Sequence, residues 1–145
     1  MLFGKRKRIV KRILIVEDEP LTAFDNETML TDAGYEVVAT LDRFKDAVET
    51  LDGEQVDLIL CDVRLTGERS GIDLAQVARE RGIPVLFSTG NAPDNAHELV
   101  LGCLMKPYSE RTLRAALEAV DQHLAGKKAR PPKGLQLFVL PAAEG

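Results

Sequence analysis

The chain has 145 residues, of which 45% are hydrophobic and 29% charged, and its formal net charge is −4. This size and composition predict one compact domain that can bury its own core. No apolar run approaches the roughly 20 residues that cross a bilayer. The apolar stretch 13–16 is too short for the core of a signal peptide. We therefore expect a cytoplasmic protein.

The charges are unevenly distributed along the chain. Residues 1–12 carry six cations and no acid, whereas the central part of the chain is strongly acidic. An acidic body is a poor surface for nucleic acid, because such binding depends on neutralising phosphates. The basic arm could contact RNA, a membrane or an acidic partner, but a solvated, flexible arm is the interpretation we favour.

Short apolar runs alternate with helical patterns five times along the chain. The predicted strands cover residues 12–16, 36–40, 58–62, 85–89 and 103–105. The predicted helices cover residues 20–33, 43–51, 71–80 and 94–101, followed by one that begins after Ser109. The first and third strands are continuous apolar runs, as expected for strands buried on both faces. This alternation predicts a parallel α/β sheet with right-handed crossovers.

The last twenty residues depart from this pattern. Gly126 and the pair Pro131-Pro132 are expected to stop the final helix. We predict a flexible tail over residues 126–145. Its apolar segment LQLFVL could dock on the domain, bind a partner or stay exposed.

Polar side chains stand at the ends of four of the predicted strands. Glu17 and Asp18 follow the first, Asp62 ends the third, Thr89 ends the fourth and Lys106 follows the fifth. In open α/β sheets, functional sites form beyond the carboxyl ends of the strands. The topology therefore predicts that these five residues converge.

Three carboxylates in one crevice repel each other, by about 4 kcal/mol for two charges ~4 Å apart at an effective dielectric near 20. An acid-rich, all-oxygen site suits a hard cation such as Mg²⁺. Asp62 could then act as a carboxylate nucleophile toward a phosphoryl group. Lys106 would pair with one phosphoryl oxygen as a point charge, and Thr89 would donate its hydroxyl to another.

The segments ILIVEDEP, DLILCDVRLTGERSGIDL, IPVLFSTG and LMKP resemble the receiver domains of two-component response regulators. The resemblance covers about residues 11–124. It implies a flavodoxin-like (βα)5 doubly wound parallel sheet with strand order 2-1-3-4-5, as in CheY-like proteins. The expected organisation is a basic arm over residues 1–11, a receiver domain over 12–125 and the tail.

The same resemblance implies roles for individual residues. Asp62 would be the phosphoacceptor and, with Asp18, a direct Mg²⁺ ligand. The backbone carbonyl of Arg64 would be a third ligand, and Glu17 would act near the ion or through water. Lys106, together with Thr89, would sense the phosphoryl group.

The sequence departs from the usual receiver pattern at several positions. Thr66 stands where a Pro is common, and the loop 66–70 looks one residue longer than usual. Cys103 replaces the aromatic residue that turns inward on activation, so the usual Thr–Tyr coupling cannot operate. Phe87-Ser88-Thr89-Gly90 resembles the signature of the FAT GUY subgroup, which pairs with HWE-type histidine kinases, although Asn91 replaces the Tyr of that subgroup.

The expected function is that of a single-domain response regulator that accepts a phosphoryl group from a histidine kinase or phosphotransfer protein. It would signal by protein contact through helix four, strand five and helix five, around residues 101–117, without a DNA-binding domain. It would catalyse only its own phosphoryl transfer and dephosphorylation. One alternative is a receiver-like binding module that works without phosphorylation. Another is a small phosphatase, which would need a general acid that Arg64 cannot supply.

Overall fold

In a computed structural model, residues 8–139 of the chain are described. The strands are β1 (Arg12–Val16), β2 (Glu36–Leu41), β3 (Leu58–Cys61), β4 (Val85–Thr89), β5 (Gly102–Met105) and β6 (Leu135–Leu137). The helices are α1 (Pro20–Asp32), α2 (Phe44–Gly53), α3 (Gly71–Glu80), α4 (Ala96–Leu99) and α5 (Glu110–Leu124). Every predicted strand and helix is therefore present, with shifts of a few residues at most at its ends.

The strands form one sheet in the order β2-β1-β3-β4-β5-β6. The first five are parallel, whereas β6 runs antiparallel to β5. The predicted flavodoxin-like order 2-1-3-4-5 is confirmed, with an antiparallel strand added at one edge. The carboxyl ends of the parallel strands meet at one edge of the sheet, where the predicted site residues lie.

Helices cover both faces of the sheet, because successive strand residues point to opposite sides. Ile13 and Ile15 belong to the apolar cluster that includes Leu30 of α1 and residues of α5. Leu14 and Val16 belong to the opposite cluster, which includes residues of α2, α3 and α4. Two buried layers thus fix the register of the central strands and leave their carboxyl ends open.

Capping residues set where several helices begin. The Glu19 side chain accepts a hydrogen bond from the Leu21 amide, and Pro20 occupies the first turn of α1. The Ser109 hydroxyl accepts a hydrogen bond from the Thr112 amide at the start of α5, as predicted. Helix α4 is shorter than the predicted segment 94–101. It ends early because the Leu101 amide already donates to a carbonyl of β4, which draws the chain into the sheet.

The tail contains a strand, so the prediction of a flexible segment is wrong for residues 135–137. The Met105 amide donates to the Gly134 carbonyl over 2.9 Å, and the Phe138 amide donates to the Leu101 carbonyl over 2.8 Å. Leu135 is buried against the α1 and α5 side of the core. The apolar side chains of the tail and the unpaired edge of β5 favour this docking. A strand of only three residues is too short to show a recognisable pattern in the sequence.

Strand β6 also changes the surface on which we expected a partner. The edge of β5 is not free, because β6 lies along it and forms the outer strand on this side of the sheet. A ring nitrogen of His123 on α5 lies 3.0 Å from the Phe138 carbonyl oxygen and adds a side-chain contact to the tail.

The predicted flexible arm is packed over residues 8–11, and the rest of the arm lies outside the described residues. The guanidinium of Arg8 stacks 4.2 Å from the centre of the Tyr35 ring. The amides of Ile9 and Val10 both donate to the Asp121 carboxylate, and Val10 is buried. Residues 8–11 are therefore part of the folded domain. In residues 8–139, no helix has the length and apolar character needed to span a membrane.

Candidate functional site

The predicted residues converge at the carboxyl edge of the sheet. One carboxylate oxygen from each of Glu17, Asp18 and Asp62 lies within 4.8 Å of the others. Lys106 and Thr89 line a cavity of about 630 Å³ together with Asp62. Parallel strands bring these positions together because their carboxyl ends share one edge.

Lys106 connects two of the carboxylates. Its ammonium nitrogen lies 2.6 Å from Glu17 Oε1 and 3.1 Å from Asp62 Oδ2. The Glu17 side chain is 1% exposed and that of Asp62 12%, so both ion pairs are shielded from solvent. Asp18 is exposed at the mouth of the site. One cation thus partly neutralises three acids, and the excess negative charge suits a divalent cation.

The acids divide into two classes by their pKa values. Burial opposes the charge of Glu17, and Asp62 beside it acts in the same direction, so the pKa of Glu17 rises to about 7 although Lys106 lowers it. Burial and the neighbouring Asp62 also raise the pKa of Asp18. Burial opposes the charge of Asp62 as well, but the hydrogen bonding with Glu17 and the Lys106 ammonium outweigh it, so the pKa of Asp62 is lowered. Of the three acids, Asp62 is therefore the one whose surroundings favour the ionised form.

The donor set of the site fits Mg²⁺. The residues are carboxylates with oxygen ligands only, they come from two neighbouring strands, and one of them is open to solvent for water ligands. The predicted carbonyl ligand comes from Arg64, which lines the cavity, and its amide lies 3.3 Å from Asp62 Oδ1. Its role as a ligand stays a prediction.

Thr89 is buried at the end of β4, and its hydroxyl is engaged by the loop that follows. It accepts a hydrogen bond from the Asn91 amide over 3.1 Å and lies 3.3 Å from the Asn91 carbonyl oxygen, to which it can donate. The hydroxyl would have to leave this turn to donate to a phosphoryl oxygen. The loop after β4 is therefore coupled directly to Thr89.

Hydrogen bonds hold the loop after Asp62 in place at Thr66 and at the start of α3. Thr66, which replaces the usual Pro, donates its amide to the Asp42 carbonyl over 2.8 Å and its hydroxyl to the Asp42 carboxylate over 3.2 Å. Ser70 and Asp73 form a reciprocal capping box at the start of α3. This loop is consequently fixed by backbone and side-chain hydrogen bonds rather than by proline.

A buried polar network near the site was missed by the sequence analysis. The Tyr108 hydroxyl lies 2.9 Å from Asn26 Oδ1 and 2.7 Å from Ser88 Oγ. Two signals in the sequence pointed to it: an aromatic residue directly after Lys106-Pro107, and a polar residue within the buried stripe of α1. Cys103, at the position of the usual switch aromatic, is a buried free thiol on β5.

A family model for the response regulator receiver domain matches residues 13–118, which is most of the chain. The chain belongs to the response regulator receiver family. This receiver domain is thus a component of two-component signalling, and the CheY-like resemblance read from the sequence is confirmed.

Curated relatives of the receiver domain are transcriptional regulators. The chain is 34% identical over 116 residues to the transcriptional regulatory protein PdtaR of Mycobacterium tuberculosis, covering 76% of this chain and 56% of that protein. It is 35% identical over 117 residues to the transcriptional activator protein IrlR of Burkholderia pseudomallei, covering 75% of this chain and 49% of that protein. The chain therefore spans about half the length of the curated relatives it matches.

Solved receiver structures share the fold. The receiver domain of the sensor histidine kinase PA1611 of Pseudomonas aeruginosa, with a magnesium ion coordinated in its active-site cleft, has a TM-score of 0.67 and 28% identity, covering 81% of this chain and 99% of that one. A CheY-like receiver domain protein of Methanospirillum hungatei has a TM-score of 0.69 and 26% identity, covering 81% and 95%.

Proposed function

We propose that this receiver domain accepts a phosphoryl group on Asp62 in a Mg²⁺-dependent reaction and signals through the resulting change in its protein contacts. The observation that carries the proposal is the contact of the Lys106 ammonium with Asp62 beside two further carboxylates. Phosphoryl transfer depends mainly on positioning and on neutralising charge, and this arrangement supplies both.

In the proposed reaction, an Asp62 carboxylate oxygen forms a bond to phosphorus while the bond from phosphorus to the donor breaks. The donor's leaving group takes up the electron pair of that bond. Lys106, already 3.1 Å from Asp62, would pair with a phosphoryl oxygen. Glu17, Asp18, Asp62 and the Arg64 carbonyl would hold Mg²⁺, whose role when bound is to neutralise charge on the phosphoryl oxygens.

Thr89 would contribute after the transfer. Its hydroxyl, now in the turn with Asn91, would rotate toward a phosphoryl oxygen and release that turn. The loop from Gly90 onward would then rearrange, which transmits the phosphorylation state to α4. This route does not need the aromatic residue that Cys103 replaces.

The proposed phosphoryl donor in the cell is a histidine kinase or a phosphotransfer protein. Leu21 and Phe24 are 75% and 65% exposed on the first turns of α1, which begins two residues after Asp18. Large apolar side chains at the rim of a polar site suit docking of another protein. The FAT GUY assignment and an HWE-type kinase belong to this proposal, as does an output through contact with a downstream protein.

The decisive experiment is phosphorylation by acetyl phosphate, followed by intact mass, with and without Mg²⁺. We expect one phosphoryl adduct in the wild type, none in Asp62→Asn and none after chelation of Mg²⁺. Beryllofluoride should shift the amide resonances of Thr89 and Gly90 only when Mg²⁺ is present. An adduct of equal yield in Asp62→Asn would refute the assignment of the phosphoacceptor.

A second experiment distinguishes phosphorylation by a protein donor from phosphorylation by a small-molecule donor. Phe24→Ala should leave phosphorylation by acetyl phosphate unchanged, because the side chain is outside the site. It should slow phosphorylation in a panel of purified histidine kinases tested one by one, because the docking contact is reduced. If the wild type and Phe24→Ala were phosphorylated at equal rates by every active kinase, the docking surface would have to lie elsewhere.

A further inference from the structure

Three buried or partly buried polar side chains from different elements meet behind the phosphoryl-transfer site. Asn26 lies on α1, Ser88 lies on β4 directly before Thr89, and Tyr108 lies two residues after Lys106. Asn26 and Ser88 are each 1% exposed. The Tyr108 hydroxyl stands between them, 2.9 Å from Asn26 Oδ1 and 2.7 Å from Ser88 Oγ.

The directions of these hydrogen bonds follow from the chemistry of the groups. Asn26 Oδ1 can only accept, so the Tyr108 hydroxyl donates its single proton to it. The Tyr108 oxygen must then accept from the Ser88 hydroxyl. The result is an ordered chain of two hydrogen bonds from β4 through Tyr108 to α1.

The burial of Asn26 indicates more than a packing role. Its amide nitrogen is buried and has no hydrogen-bond partner. Its neighbours on the buried side of α1 are apolar, including Ala23 and Leu30. An apolar residue would fill this place without leaving a polar atom unsatisfied. Such a residue would, however, provide no acceptor for Tyr108.

The network lies next to the base of Lys106. Only Pro107 separates Tyr108 from Lys106, and the Lys106 amide donates to the Thr89 carbonyl over 3.0 Å. Asn26, Lys106 and Tyr108 line one cavity of about 180 Å³. Fixing the Tyr108 hydroxyl therefore restricts the backbone from which the Lys106 side chain reaches the carboxylates.

We propose that Tyr108 is a positioning residue, which the Asn26 and Ser88 hydrogen bonds hold in place so that Lys106 stays on Glu17 and Asp62. The inference rests on the proposed function for its effect on phosphorylation. The network also connects α1 with the strand residue beside Thr89. It provides a link between the site and α1 in a chain that lacks the usual switch aromatic.

The test uses a variant in which the network is replaced by apolar groups of similar shape, Asn26→Leu/Ser88→Ala/Tyr108→Phe. Because every member of the network is removed, no partner is left with a new unsatisfied group. The matched control is Tyr35→Phe, which removes the hydroxyl of the other tyrosine, a buried residue away from the site. Ser88→Ala alone is a milder version that removes one hydroxyl.

Two quantities are measured on folded, full-length protein. The first is the mobility of the Lys106 side chain in the absence of phosphoryl donor, by NMR relaxation of its terminal methylene and ammonium groups. The second is the rate of phosphorylation by acetyl phosphate. A structural role alone would change thermal stability but neither of these.

We expect the Lys106 side chain to become more mobile in the triple variant and phosphorylation to slow by about tenfold, the order of effect for a sub-ångström misplacement of a reacting group. Ser88→Ala should change both in the same direction but less, and Tyr35→Phe should match the wild type. Unchanged Lys106 mobility in the triple variant overturns the inference, as does an unchanged rate. If the wild type itself accepts no phosphoryl group, the proposed function fails, and the mobility measurement still decides the role of Tyr108.

Discussion

The ammonium of Lys106, which follows β5, lies 2.6 Å from Oε1 of Glu17, which follows β1, although β3 and β4 separate these strands in the sheet. The same nitrogen contacts Asp62 at the end of β3. One flexible cation therefore bridges three strand ends across the crevice. Substituting Lys106 and substituting its carboxylate partner Glu17 should therefore change the stability of the protein in different ways.

Lys106→Met should destabilise the Mg²⁺-free protein most at alkaline pH. Without the ammonium, Glu17 and Asp62 face each other with no compensating charge, and we expect a loss of about 2–4 kcal/mol in the free energy of unfolding at pH 8. The loss should be smaller at pH 5, where Glu17 can take up a proton. Urea unfolding at both pH values measures this, with the exposed Lys45→Met as control. Equal losses at the two pH values would contradict the carboxylate repulsion.

Glu17→Gln should change how stability depends on pH. The pKa of Glu17 in the folded protein is about 7, above its ordinary value of 4.5. Below pH 4.5 the Glu17 carboxyl is largely protonated in both the folded and the unfolded state, so it does not change the free energy of unfolding. Above the higher value the folded state bears the full cost of the buried charge, and the free energy of unfolding is reduced.

Without divalent cations, Glu17→Gln should therefore be more stable than the wild type by about 1–2 kcal/mol at pH 8 and equal to it near pH 4. The variant should also bind Mg²⁺ more weakly, because a carboxylate is lost from the acidic cluster. Chemical unfolding across this pH range and a Mg²⁺ titration by NMR measure the two effects. Parallel stability curves for the two proteins would show that Glu17 does not titrate in this range.

Gly102→Ala should expel β6 from the sheet. A Cβ atom at this position would stand 2.4 Å from the Gln136 carbonyl oxygen and 3.0 Å from a methyl carbon of Leu137, so the two strands could not keep their spacing. Hydrogen exchange should accelerate for the amides of Met105 and Phe138, which bond across the β5–β6 edge. Gly53→Ala, with nothing within 4 Å of the added atom, is the control and should keep these amides protected.

Gly71→Ala should impair the site itself. The added Cβ would lie 2.0 Å from the backbone carbonyl oxygen of Asp62, so either the start of α3 or Asp62 must move. We expect a loss of about 1–3 kcal/mol in stability together with slower phosphorylation by acetyl phosphate. Gly53→Ala again serves as control. A variant that is destabilised but phosphorylated at the wild-type rate would show that the strain is taken up by α3 alone.

Much of the fold could be predicted from the sequence because local patterns and topology agree. Continuous apolar runs in β1 and β3 predict strands buried on both faces, and every apolar residue of both strands is buried. Acids and a lysine that directly follow such strands lie close together, because the carboxyl ends of parallel strands share one edge of the sheet. The positions of Asp62 and Lys106 at the site were therefore predictable, and the contact between their side chains bears this out.

Other features depended on contacts between residues distant in sequence. Strand β6 has three residues, too few for a recognisable period, and it exists because the edge of β5 and the adjoining core accept it. The packing of Arg8 and Val10 likewise depends on Tyr35 and Asp121. Short segments carry little conformational preference of their own, so their structure follows from the surface they meet.

The sequence by itself determined the strand order, the family and the five residues at the carboxyl edge, because these follow from periodicity, motif and chain direction. Only the tertiary structure decided which carboxyl groups have raised pKa values and which a lowered one, where the Thr89 hydroxyl points and what Tyr108 contacts. Those properties depend on burial and on distances of about 3 Å between groups on separate elements. Distances of this kind are set by packing, which no local pattern encodes.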